Sequence, residues 1–199
     1  MQQKLSSLIN LAIFASGNGS NAERLIQHFQ DHSQVRICTV FCNRKHAGVF
    51  DRLHGVEGVY VPKATWLEQP DKLLSMLRTR NIHFIVLAGF LLKVPQQLIQ
   101  VFPERIINIH PSLLPKFGGK GMYGMHVHEA VAAANEKLSG ISIHAVNEEF
   151  DKGRIIYQAS CEVAGLTAKE IAKKVQTLEH RFFAPAIEQY VLTHEYAKH

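Results

Sequence analysis

Asn108, His110 and Asp151 are the residues whose types and spacing suit work on a carbonyl group. Asn108-Ile109-His110 closes a stretch that reads as a strand, and the two-residue period puts Asn108 and His110 on one face with Ile109 opposite. At the carboxyl edge of an open α/β sheet both would point to where such folds bind ligands. An amide and an imidazole together can donate to a developing oxyanion, and the imidazole can handle a proton near neutral pH. Taken alone, a histidine at a strand end also serves to hold a fold together. Asp151, on a tight loop that the same edge could receive, adds a second acid-base group and favours the catalytic reading. Pro111 and Pro115 stiffen the Pro111-Ser112-Leu113-Leu114-Pro115 segment that follows.

A second constellation lies near the start. Gly17-Asn18-Gly19-Ser20-Asn21-Ala22 matches G-x-G-x-x-G/A, a pattern shared by dinucleotide sites, simple phosphate cradles and ligand-free turns. A dinucleotide site wants an acidic residue about twenty positions further on. There the sequence reads Phe41-Cys42-Asn43-Arg44, which disfavours NAD and leaves NADP only Arg44. A bare turn has no use for the side-chain donors of Ser20 and Asn21. A phosphate fits both facts, because glycines admit an anion to the backbone and a helix start offers free amides. His126-Val127-His128-Glu129 lacks the H-E-x-x-H spacing and a third ligand, so no metal is expected. Leu91-Leu92-Lys93-Val94 either lines a pocket or starts a core helix, and the residues alone favour the core.

The elements that must position these groups alternate. Strands are expected over 8–14, 35–42, 59–61, 84–87 and 105–110, with helical stretches at 21–30, 49–53, 70–80 and 94–102. Ser20 and Glu23 have the spacing of a capping box for the first helix. This order predicts an open, mainly parallel twisted sheet of Rossmann-like type with helices on both faces. A long Pro- and Gly-rich stretch, 111–124, is read as functional. It precedes an alanine-rich helix (128–135) and two strands, 140–146 and 154–162, expected to form an antiparallel extension. A last helix begins at Thr167, which with Glu170 forms another capping box, and Pro185 should kink or interrupt it.

With 46% hydrophobic residues, 22 Lys+Arg and 17 Asp+Glu, the 199 residues suit a single domain, 1–199, and exclude disorder. No stretch approaches the ~18 apolar residues of a membrane span, and the N-terminus does not read as a signal peptide, so a soluble, cytoplasmic protein is expected. The basic residues behind the net charge of +5 are scattered, which argues against nucleic acid and fits small anionic substrates. Cys38, Cys42 and Cys161 form no Cys-x-x-Cys pair and read as reduced core thiols.

Ser16-Gly17-Asn18-Gly19-Ser20-Asn21, Leu87-Ala88-Gly89-Phe90, the block from Asn108 to Pro115 and Val175-Gln176-Thr177-x-Glu179-His180 together resemble the phosphoribosylglycinamide formyltransferase family. The resemblance runs from about residue 9 to 191 and implies transfer of a formyl group from 10-formyltetrahydrofolate to the amine of glycinamide ribonucleotide. That is a step of purine biosynthesis and one-carbon metabolism. It further implies Asn108, His110 and Asp151 as the catalytic triad, and Gly19, Ser20 and Asn21 around the substrate phosphate. Gln176 and Glu179 would reach the ribose. Leu91, Leu92, Lys93 and Val94, with Asn147, Glu148, Glu149, Phe150 and Asp151, would border the pterin. A phosphate-binding half (about 8–103) and a folate and catalytic half (about 104–191) follow from the same matching. This sequence departs from the family at Leu92, where many members carry arginine, in a longer 118–124 loop, and in Asp151-Lys152-Gly153 for the usual Asp-Gly-Gly.

Methionyl-tRNA formyltransferases share the Pro-Ser-Leu-Leu-Pro block but add a tRNA-binding domain, for which too few residues follow Val191. Formyltetrahydrofolate hydrolases share the triad and add an N-terminal regulatory domain. A non-catalytic nucleotide-binding domain is the third alternative.

Overall fold

The computed structural model describes residues 8–194, and its strands build one seven-stranded sheet. In chain order the elements are β1 (Ile9–Ala15), α1 (Ser20–Phe29), β2 (Val35–Cys42), a short 3-10 helix (Gly48–Arg52), β3 (Glu57–Tyr60), α2 (Lys63–Glu68) and α3 (Pro70–Arg78). There follow β4 (Phe84–Leu87), α4 (Gln96–Val101), β5 (Ile106–His110), α5 (Met125–Ala133), β6 (Leu138–Ala145), β7 (Ile155–Glu162) and α6 (Ala168–Thr193). The strand order is β3-β2-β1-β4-β5-β6-β7, parallel from β3 to β5 and antiparallel from there on. The open, mainly parallel sheet with a C-terminal antiparallel extension is therefore as the sequence predicts.

Both faces of the parallel part are covered, so the central strands β1 and β4 bury every side chain, whereas the edge strand β3 is largely exposed. Leu11, Ile13, Ile107 and Ile109 pack with Leu25 and Phe29 of α1 and Val175 and Ile187 of α6. On the other face Ala12, Phe14, Ile85 and Ile106 meet Trp66, Leu73, Leu77 and Leu98 of α2, α3 and α4. Trp66 is fully buried; its indole N–H donates to the Val61 carbonyl at 2.9 Å and its ring packs on Phe14 and Phe90.

Several local expectations differ. Gly19, not a serine, is the N-cap of α1, in the left-handed region at φ 82°. A Cβ there would lie 2.6 Å from that of Val49, so the close approach of the 3-10 helix requires glycine. Ser20 is then the first helical residue and makes no cap, and Glu23 turns to Arg52 at 2.6 Å and His54 at 3.0 Å. The capping box at Thr167 and Glu170 does form. Pro185 lies inside α6 without ending it. The helix expected from 94 starts only at Gln96, behind Pro95, so Leu91 to Val94 are irregular. The alanine-rich helix starts earlier than expected, at Met125. α2 has no counterpart in the expectations. Cys42 is buried, Cys38 and Cys161 are half-buried, and all three are free thiols.

Candidate active site

The antiparallel turn of the sheet creates the site. β5 and β6 pair so that Asn108 faces His144 and His110 faces Ser142. The Asn108 amide nitrogen lies 3.1 Å from His144 Nε2. After β6 the chain turns back through Asp151, in the left-handed region at φ 57°, and Gly153. A Cβ on Gly153 would fall 1.6 Å from the Ala145 carbonyl oxygen, so only glycine lets this turn close on the end of β6. The result delivers the Asp151 carboxylate to both imidazoles, 3.6 Å from His110 Nδ1 and 3.5 Å from His144 Nε2.

The segment after β5 clamps the same groups. The Phe117 carbonyl accepts from His110 Nε2 at 2.8 Å, and the Gly119 amide donates to Asp151 Oδ2 at 2.9 Å. A carbonyl can only accept, so Nε2 carries the proton of neutral His110 and Nδ1 faces the carboxylate. Ser142, fully buried, pins the proline-flanked turn: its hydroxyl accepts from the Leu114 amide at 2.9 Å and donates to the Ser112 carbonyl at 2.7 Å. Gln158 of β7 donates to the same hydroxyl and to the Leu114 carbonyl.

Burial, the strongest influence on His110, holds its pKa below the usual 6.5, and the charge of Asp151 and the Phe117 carbonyl only partly oppose it. Burial acts on Asp151 too, pushing it up, but the contact with His144, the charge of His110 and the Gly119 amide together outweigh it and leave the carboxyl below its usual 3.8. A neutral imidazole therefore sits beside an ionised carboxylate near neutral pH.

At the other end, Asn21 of α1 meets α6, its amide donating to Glu179 at 3.0 Å. Burial raises the Glu179 pKa against that hydrogen bond. Asn21 Oδ1 is buried with no partner among the described residues. The first turn of α1 has no side-chain cap, so its amides stay open towards the Gly17 to Gly19 loop.

Ser16, fully buried, joins this loop to the segment after β4. Its hydroxyl donates to Asn43 Oδ1 at 2.6 Å and accepts from the Leu91 amide at 3.0 Å, while its amide donates to the Gly89 carbonyl at 3.1 Å. Phe90 is wedged against Phe14 and Trp66.

One cleft of about 920 Å³ is lined by residues from each of these regions except the Gly17 to Gly19 loop. Asn21, Gln176 and Glu179 line one part, and Asn108, His110 and Asp151 line another. Leu91, Leu92, Lys93 and Val94 line it too, as do Asn147, Glu148, Glu149 and Phe150. Of these Leu91 is exposed and Val94 buried, so the segment serves the cleft as well as the core. Gly19 and Ser20 lie just outside its lining, which begins at Asn21. His126 is exposed beside Glu129 whereas His128 is buried, so the two histidines diverge on α5. Among the described residues no group of three or more His, Cys, Asp or Glu is placed to hold a metal ion.

Sequence reasoning passed over His144. Its signal was the polar alternation of Ser142 and His144 within an apolar strand, but its role depends on the register with β5.

Residues 9–187, which hold the amide, the imidazoles and the carboxylate at the open edge of the sheet, match the Formyl transferase family: the chain belongs to it. Chloroplastic phosphoribosylglycinamide formyltransferase of Arabidopsis thaliana is 40% identical over 185 residues, 89% of this chain and 63% of the plant protein. The phosphoribosylglycinamide formyltransferase of Bacillus subtilis (strain 168) is 32% identical over 188 residues, 89% of this chain and 92% of that protein. A crystal structure of the Brucella melitensis phosphoribosylglycinamide formyltransferase superposes with a TM-score of 0.83 at 31% identity, covering 94% of this chain and 98% of that one. The chain thus spans under two thirds of the plant relatives, 63% and 59%, and 92% of the Bacillus subtilis one.

Proposed function

We propose that this protein transfers the formyl group of 10-formyltetrahydrofolate to the primary amine of glycinamide ribonucleotide, giving formylglycinamide ribonucleotide and tetrahydrofolate. The observation that carries the reading is that Asn108, His110 and Asp151 line one cleft together with Asn21, Gln176 and Glu179 and with the Leu91 to Val94 and 147–151 segments. The open amides of Gly19, Ser20 and Asn21 suit a phosphate. The unpartnered Asn21 Oδ1 and the half-buried Glu179 carboxyl, with Gln176, suit the hydroxyl donors of a ribose. The irregular apolar wall Leu91, Leu92 and Val94, with Lys93 and the 147–151 loop, suits a flat pterin. This division crosses the chain halves. The catalytic groups belong to about 104–191, but Leu91 to Val94 lie in the first half and Gln176 and Glu179 in the second.

In the reaction the uncharged amine attacks the formyl carbon, the carbonyl oxygen gains negative charge, and the carbon–nitrogen bond to the folate breaks. One proton leaves the attacking nitrogen and one reaches the folate nitrogen. Asn108 has an amide N–H beyond the one directed at His144, and the Nε2–H of His110 is shared with a carbonyl that substrate oxygen can replace. Both would stabilise the oxyanion. The Phe117 carbonyl would hold His110 in this tautomer, and Asp151 would stabilise the imidazolium if Nδ1 takes a proton. The test is formyl release from 10-formyltetrahydrofolate, followed by absorbance with and without glycinamide ribonucleotide. Consumption that requires the ribonucleotide supports the reading. Equal consumption without it would make the protein a hydrolase.

A further inference from the structure

Charge is engaged unevenly along the cleft. Lys152, beside the 147–151 loop, pairs with Glu149 at 2.5 Å; away from the cleft Lys116 pairs with Glu136 at 2.7 Å and Lys174 donates to the Glu162 carbonyl at 2.9 Å. Lys120, Lys169 and Lys173 are different. All three are exposed and line the cleft, and none of their ammonium groups has a hydrogen bond or ion pair with any described residue. Lys169 and Lys173 stand one turn apart on α6, and Gln176 and Glu179 continue the same face into the cleft. At a rise of ~1.5 Å per residue, Lys173 is about 9 Å and Lys169 about 15 Å along the axis from Glu179. Lys120 comes from the 118–124 loop, which lines the same cleft. Glu179 is the only carboxylate on this stripe.

Lysines without partners in a concave wall raise the local concentration of an anion, and such clefts speed capture of charged ligands by about 10- to 1,000-fold. We propose that Lys169 and Lys173, assisted by Lys120, form a phosphate-selecting wall that draws the ribonucleotide into the cleft and discriminates against the unphosphorylated ribonucleoside. The proposal rests on the function given above and deepens it. The wall acts before and alongside the glycine loop, which offers directional amides but no net charge of its own. Because the lysines are solvated, their pull weakens once the screening length falls well below ~10 Å.

The test is the double variant Lys169→Gln/Lys173→Gln, assayed for formyl transfer at low ionic strength and at about 0.5 M salt, where screening reaches only a few ångströms. At low salt kcat/KM for the ribonucleotide should fall about tenfold. At high salt variant and wild type should converge. The KM for formylfolate should stay within about twofold, and glycinamide ribonucleoside lacking the phosphate should react equally with both proteins. Adding Lys120→Gln should widen the low-salt gap. A loss that persists at high salt, an equal loss with the ribonucleoside, or no loss at all would overturn the wall. An inactive wild type would instead overturn the substrate reading and the wall with it.

Discussion

The loop after β1 and the edge built by β5, β6 and the 147–151 loop solve different problems. The loop is local: one strand, four residues and a helix start generate open amides, braced from outside by Asn43, Val49 and the Gly89 to Leu91 segment. The edge draws Asn108, the backbone of Phe117 and Gly119, His144 and Asp151 from four segments of the chain, and no two of these residues are sequence neighbours. The first can bind an anion by backbone geometry alone, whereas the second depends on antiparallel register. Removing a group from the edge should therefore damage chemistry, and removing one from the loop should damage binding.

The largest effect is expected at the edge. Asn108→Ala or His110→Ala should each lower kcat by about two to three orders of magnitude with far smaller changes in either KM, as for loss of an oxyanion donor. Melting temperature measured alongside separates this from a structural role. A folded variant that keeps more than about a tenth of the turnover would erase the distinction between the regions. Asp151→Asn should slow turnover as well and shift its pH dependence, because the carboxylate that steadies the imidazolium is gone.

At the loop, Asn21→Ala should raise the KM for the ribonucleotide about tenfold and leave that for formylfolate nearly unchanged, the cost of a hydrogen bond made equally in ground and transition states. Steady-state kinetics with each substrate varied in turn would show it. An equal rise for both substrates would mean that the loop is structural.

Acid should also strain the edge through its buried histidines. His110 and His128, with His83 and His180 elsewhere, have pKa values held below 6.5, chiefly by burial. Through that range the unfolded chain binds more protons than the folded one, so stability is present above the ordinary histidine pKa and declines as pH falls through it. Asp151 acts lower down, since its depressed pKa adds stability above 3.8 that is lost as pH falls to the folded value. Thermal melting from roughly pH 8 to pH 5.5 should show a steady decline. A flat profile would contradict the burial.

The smallest effect concerns the brace between the regions. Ser16→Ala removes both the bond from the Leu91 amide and the bond to Asn43 Oδ1 and should cost about 1–3 kcal/mol. Although Ser16 adjoins the phosphate loop, its loss should raise the KM for formylfolate a few-fold more than that for the ribonucleotide. The opposite order would show that the brace serves the loop alone.

Much of this was legible in the residues. The apolar runs of β1, β2 and β4 mark buried parallel strands because each needs no pairing partner to be recognised; the 84–87 strand was read to the residue. The capping box at Thr167 and Glu170 is equally local. α2 escaped because its six residues, set between Pro62 and Pro70, are too few to show a helical period, although Trp66 on it supports Phe90 beside the cleft. The capping box expected at Ser20 failed because Val49, about thirty residues away, forces the chain through a left-handed glycine.

What the sequence determined by itself was chemical: an amide and an imidazole two apart on a strand, a carboxylate on a tight turn, and glycines before a helix. What only the tertiary structure decided was which groups meet. His144 joins the site because β6 runs antiparallel to β5 in the register that sets it against Asn108, and a shift of one residue would turn it to the opposite face. Asp151 reaches both imidazoles because Gly153 packs on the Ala145 carbonyl. These contacts span from 7 residues, between His110 and Phe117, to 158, between Asn21 and Glu179. Local propensity carries no information over the longer separations; packing and strand register alone set them.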